Sequence, residues 1–183
     1  MASPSISDFQ SNAKPPGADA FALLGLTPTF EVDVAALEKA FFERSKELHP
    51  DRFANAPAAE RVVALSRSRA LNDAYQILKK PVARAEYLLA QSGVTIGDNE
   101  RLDPAALMPI LEERELLAEA IQAKRIAEIE KMQAAMQATR ARELELVRDG
   151  FARNDLVAVK RSLILLRYIE RYLEACDGAL DEE

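Results

Sequence analysis

The segment E-L-H-P-D-R-F, Glu47 to Phe53, holds the only histidine of the 183-residue chain. An imidazole beside a carboxylate, His49 with Asp51, has the residue types of a general base, a metal ligand or a charged docking point. A zinc site needs three or four ligands, usually His and Cys. The chain offers one of each, His49 and Cys176, so any metal would rest on carboxylates. An iron–sulfur cluster held by this chain alone would need several thiolates, which excludes it. Nucleophilic catalysis asks for a partner within reach of the base. Ser45 lies one helical turn before His49, but no oxyanion loop or glycine-rich phosphate cradle accompanies them. An enzyme is therefore disfavoured, and neither metal nor cofactor is expected. A solvated loop without a role and a docking surface remain. Pro50 restrains the backbone, so His49 and Asp51 lose little freedom on binding. Arg44 and Lys46 precede the loop and Arg52 follows it. Cations in a last helical turn also stabilise the helix against its own dipole, and Glu38, Glu43 and Glu47 dilute the basic patch.

The flanking segments decide how the loop is presented. Asp33 is suited to cap a helix in which Val34, Leu37, Phe41 and Leu48 share a face, and Pro50 ends that helix at Leu48 or His49. Pro57 suits the first turn of a second long helix that stops before Pro81, with Leu71, Ala74, Tyr75 and Leu78 inward. A third begins at Pro81, runs through Ala85, Leu88 and Leu89, and closes at Gly93. With the short turn at Phe21–Leu26, residues 19–92 read as a four-helix unit, and His49 stands at the tip of an antiparallel hairpin. Residues 1–18, rich in Ser, Asn, Pro and Gly, read as a flexible tail.

After a polar connection come helices over about 106–121, 124–149 ending at Gly150, and 154–177 ending at Gly178, with Asn154 as a suitable cap. No strand pattern occurs, so the fold class is all-α: an N-terminal unit over 19–93 and a C-terminal three-helix bundle over 104–183. Residues 1–95 carry 11 basic and 11 acidic side chains, so the net charge of −6 lies wholly in the C-terminal half. Neither half is basic enough to neutralise a phosphate backbone, which argues against nucleic acid. One cysteine, no secretory signal pattern and no long apolar run predict a cytoplasmic protein that neither forms an internal disulfide nor enters a membrane. Cys176 reads as a small core residue.

The His49-Pro50-Asp51 tripeptide between two antiparallel helices resembles the J-domain of DnaJ-type co-chaperones. L-H-P-D-R-F-A (48–54), L-N-D-A-Y-Q-I-L-K-K-P (71–81) and R-A-E-Y-L-L (84–89) are similar to the HscB family of iron–sulfur co-chaperones in particular. The last of these is the most specific, because ordinary J-domains do not continue into it. The resemblance implies that His49, Pro50, Asp51, Arg52, Lys46 and Arg44 contact an HscA-type or DnaK-class heat-shock ATPase and stimulate its hydrolysis. It further implies that Leu107, Met108, Leu111, Glu112, Arg114, Glu115, Glu119 and Tyr168 bind an IscU-type scaffold protein. From spacing alone, Leu107, Leu111 and Tyr168 read as bundle core and the acidic residues as a solvated face; the resemblance assigns them to an interface. Longer relatives carry paired cysteines before the J-domain, and their absence implies the bacterial type without metal. Pro109 departs from the pattern: it is tolerated if its helix starts near Ala106, and it bends the patch if the helix starts at Pro104. The same His-Pro-Asp loop would also serve a J-domain co-chaperone of another pathway, from which only the C-terminal partner discriminates.

Overall fold

In the computed structural model, residues 19–53, 55–97 and 100–181 are described, with Pro50 as backbone only. The expected tail over residues 1–18 lies outside them. The described residues divide into two packed units, the first within 19–28 and 32–79, the second within 29–31 and 80–181. All regular structure among the described residues is helical.

The first unit comprises α1 (Ala20–Leu24), α2 (Val34–Glu47), a 3-10 turn (Pro50–Phe53) and α3 (Ala58–Lys79). Asp33 caps α2 as its residue type predicts, accepting from the Ala35 and Ala36 amides at 2.9 and 3.2 Å. Leu37 is fully buried and meets the inward face of α3, where Leu71, Ala74, Tyr75 and Leu78 are all buried. The Phe41 ring stacks on Tyr75, with centroids 4.3 Å apart, and the Tyr75 hydroxyl donates to Glu38 at 3.3 Å. Val34 departs from expectation. It is the first helical residue and stands exposed, because the face it shares with Leu37 becomes covered only one turn further on. Gly25, which ends α1 at a φ of 69°, lies where a Cβ would come within 2.6 Å of the Arg44 guanidinium. The left-handed backbone calls for glycine, whereas the arginine is a flexible side chain that could move aside.

The second unit comprises α4 (Pro81–Gln91), α5 (Pro104–Gln122), α6 (Ile126–Ala152) and α7 (Leu156–Asp181). Helix α4 packs on α6 and α7, which places it in the second unit by contact. The residues responsible are those of R-A-E-Y-L-L. Buried Arg84 donates to the Phe30 carbonyl at 2.8 Å, and Glu86 accepts from Arg167 of α7 at 2.7 Å. Ala85 and Leu89 join Val147, Val159, Leu163 and Leu166 in the main core. Helices α6 and α7 approach closely at Gly150, where a Cβ would come within 2.6 Å of Val159 Cγ2. Gly150 therefore serves packing and does not end α6, which continues to Ala152. Likewise α7 runs through Gly178 to Asp181. The cap of α7 is Asp155, whose carboxylate accepts from the Ala158 amide at 3.0 Å; Asn154, the residue expected there, instead takes the left-handed turn at a φ of 56°. Among the described residues no helix is long and apolar enough to cross a membrane.

Candidate docking surfaces

The backbone of His49-Pro50-Asp51 forms one tight turn. Leu48 ends α2 by donating to the Arg44 carbonyl at 3.2 Å, and the Arg52 amide donates to the His49 carbonyl at 3.0 Å. The Asp51 amide donates to His49 Nδ1 at 3.3 Å, and Asp51 Oδ2 lies 3.5 Å from the same nitrogen. An Nδ1 that accepts from an amide carries no proton, and one that donates to a carboxylate carries one, so the two contacts are alternatives at the same nitrogen. The Asp51 carboxylate is 90% exposed, within reach of an outside cation. The Ser45 hydroxyl donates to the Phe42 carbonyl at 3.0 Å, so it is engaged by its own helix. Lys46 and Arg52 are exposed on either side of the turn. Arg44 is two positions from Lys46, on the opposite side of α2, with its guanidinium over Gly25. The turn thus gathers His49, Asp51, Lys46 and Arg52 but not Arg44.

The second candidate surface is built on α5. Asp103 caps it, accepting from the Ala105 amide at 2.8 Å, and the helix begins at Pro104. Pro109 is therefore interior and has no N–H to give the Ala105 carbonyl, yet the helix continues through it. Ile110, Leu117 and Ala120 are buried, which fixes the outward face. Met108, Leu111, Glu112, Glu115 and Glu119 follow one another along that face at helical spacing. Met108 is 54% exposed and Leu111 38%, against the core reading that spacing alone gave Leu111. Arg114 stands exposed on the row of Leu107 and Leu111. Leu107 and Tyr168 are half-buried and meet at the cluster of Leu102, Ile110 and Ile164, so these two serve the core as well. Sequence reasoning missed Leu116, an exposed leucine one turn beyond Glu112. Its position off the Ile110–Leu117–Ala120 face is the signal that could have found it.

Beneath α5, Tyr172 and Cys176 are buried with Leu117, Ala120 and Ile129. Cys176 is thus the core residue its position predicts, and burial pushes its thiol up from the ordinary range. The Tyr172 hydroxyl has no hydrogen-bond partner, and burial pushes its pKa up to about 12.

The DnaJ domain pattern matches residues 19–87, and the pattern of the HSCB C-terminal oligomerisation domain matches residues 102–177. Fold and turn together define a J-domain protein with a second, helical domain. The co-chaperone protein HscB homolog of Vibrio vulnificus (strain YJ016) is 46% identical over 101 residues, which is 54% of this chain and 59% of that protein. The HscB homolog of Aromatoleum aromaticum is 35% identical over 167 residues, spanning 89% of this chain and 94% of that one. The solved chaperone HscB from Vibrio cholerae superposes with a TM-score of 0.82 at 31% identity, covering 90% and 98% of the two chains. The chain belongs to the HscB family of co-chaperones.

Proposed function

We propose that this chain brings an IscU-type iron–sulfur scaffold to an HscA-type, Hsp70-class chaperone in the cytoplasm and accelerates that chaperone's ATP hydrolysis. The observation that carries the reading is the His49-Pro50-Asp51 turn, with its carboxylate 90% exposed, in a chain of the HscB family. Asp51 pairs with a cation of the chaperone, His49 and Pro50 hold the turn in shape, and Lys46 and Arg52 meet acidic groups around it. Arg44, on the other side of α2, contributes through the seam with α1. The scaffold takes the α5 face, where Met108 and Leu111 supply apolar area and Glu112, Glu115 and Glu119 supply charge, with Leu107, Arg114 and Tyr168 at its edge.

Exposed charge pairs are each worth about 0.2–1 kcal/mol and weaken as salt shortens the screening length from about 10 Å at 0.1 M to about 3 Å at 1 M. Titrating the chain into the chaperone at low and high salt and following ATP turnover tests the docking half of the proposal. The expected result is stimulation that needs more protein as salt rises. A folded protein that leaves turnover unchanged at low salt contradicts it.

A further inference from the structure

Helix α2 carries two stripes of the same four-three-four spacing, two positions out of step, which puts them on opposite sides of the helix. Leu37, Phe41, Arg44 and Leu48 make the inward stripe: Leu37 is buried, Phe41 stacks on Tyr75, and Arg44 covers Gly25. Ala35, Lys39, Phe42 and Lys46 make the other, and all four are exposed. Phe42 is 60% exposed, and among the described residues its ring meets that of Phe41 alone, with centroids 5.8 Å apart. The fold needs no aromatic there, because a helix former such as Gln would satisfy α2 equally well.

We propose that Phe42 is the apolar anchor of the chaperone-docking face, inserting into an apolar notch on the acidic surface of the Hsp70-class ATPase while Lys39 and Lys46 meet carboxylates beside it. This rests on the docking reading of the His49 turn and extends it along α2. Two features name the occupant. The stripe leads along α2 into the His49 turn, so whatever binds the turn lies against it. Lys39 and Lys46 on the stripe and Arg52 beyond it outnumber Glu43 beside them, while Glu38 is paired with Lys79, so the stripe calls for carboxylates on its partner. Interface hot spots are aromatic side chains ringed by polar contacts that exclude water, and the stripe has that composition. The ring also confers selectivity. A partner offering carboxylates alone gains from the lysines, and only one with a notch between them gains from Phe42.

The test measures ATP turnover as variants are titrated into the chaperone. Phe42→Gln should raise the concentration for half-maximal stimulation by about tenfold, as expected on losing one interface anchor, and leave the maximum intact. Phe42→Leu should stay within about threefold of the wild type, because much of the apolar area remains. The chain contains no tryptophan, so Phe42→Trp provides a unique fluorophore. Its emission should shift to the blue when a tryptophan-free chaperone is added, and this readout holds even if Phe42→Gln proves poorly folded. Wild-type half-maximal stimulation by Phe42→Gln, or unmoved Phe42→Trp emission in a complex that still stimulates, overturns the anchor and leaves the docking turn standing. A blue shift that grows with the concentration of Phe42→Trp alone assigns the face to a second copy of the chain and also overturns it. If the wild-type protein fails to stimulate, the turn itself has been misread and both proposals fall.

Discussion

The turn at His49 and the outward face of α5 place their residues in opposite ways. At the turn, three consecutive residues are shaped by bonds spanning two or three positions, among them Asp51 to His49 Nδ1 and Arg52 to the His49 carbonyl. On α5 the candidate residues spread from Leu107 to Glu119, and each is aimed by a helix whose other side is buried through Ile110, Leu117 and Ala120. The first surface is charged and local. The second is apolar at one end, acidic along its length and shared with the core at its edge. A compact turn concentrates function, so one substitution can remove it. A helical face distributes function, so substitutions erode it by steps.

The most severe effect should come from His49→Gln. With the turn's shaping residue gone, ATPase stimulation should fall to the unstimulated rate while the unfolding free energy changes by less than about 0.5 kcal/mol, since the side chain is exposed. Full stimulation by a variant with an unchanged melting curve would erase the contrast between the two surfaces.

A middling effect is expected on α5, and it separates interface from core. Met108→Ser with Leu111→Ser removes exposed apolar area and should weaken scaffold binding by roughly tenfold with little change in stability. Tyr168→Ser removes a ring packed against Leu102, Ile110 and Ile164, and it should cost about 2 kcal/mol of stability as well as affinity. Calorimetric titration with the scaffold alongside thermal unfolding checks both. Equal losses of stability in the two variants would show that Met108 and Leu111 belong to the core.

What could be read from the sequence follows the same division. Local rules were sufficient where one residue sets its own geometry: Asp33 caps α2, Gly93 turns left-handed after α4, and Leu71, Ala74, Tyr75 and Leu78 share a buried face. They failed where a choice depends on what packs nearby. Asn154 and Asp155 are both good caps, and the chain's reversal gives the left-handed position to one and the cap to the other. Gly150 reads as a helix end but is the seat of Val159. Helix α4 follows α3 directly, yet Arg84 and Glu86 tie it to Phe30 and Arg167 in the second unit, partners that no local pattern announces. For the candidate surfaces, the motif located the turn, while only the fold could divide Lys46 from Arg44 over Gly25, detach Leu111 from the core, or reveal Phe42 and Leu116 as exposed.

The smallest predicted change lies beneath α5. The Tyr172 hydroxyl is buried without a partner, so Tyr172→Phe should stabilise the protein by about 1 kcal/mol. Its folded pKa of about 12 exceeds the ordinary value of 10.0, so the unfolded chain releases this proton first. The corresponding stability is complete below pH 10, declines as pH rises through 12, and is absent from the Phe variant. Ultraviolet titration of the wild type should show a tyrosinate step near 12 that Tyr172→Phe lacks.

The account turns on one chain carrying both surfaces at once, and ATP turnover by the HscA-type chaperone tests that most directly. The measurement takes four samples: chaperone alone, with this protein, with the scaffold, and with both. Stimulation by both that far exceeds the sum of the separate effects is the predicted result, and it should disappear with His49→Gln and diminish with Met108→Ser, Leu111→Ser. Stimulation by this protein that is indifferent to the scaffold would contradict delivery through α5.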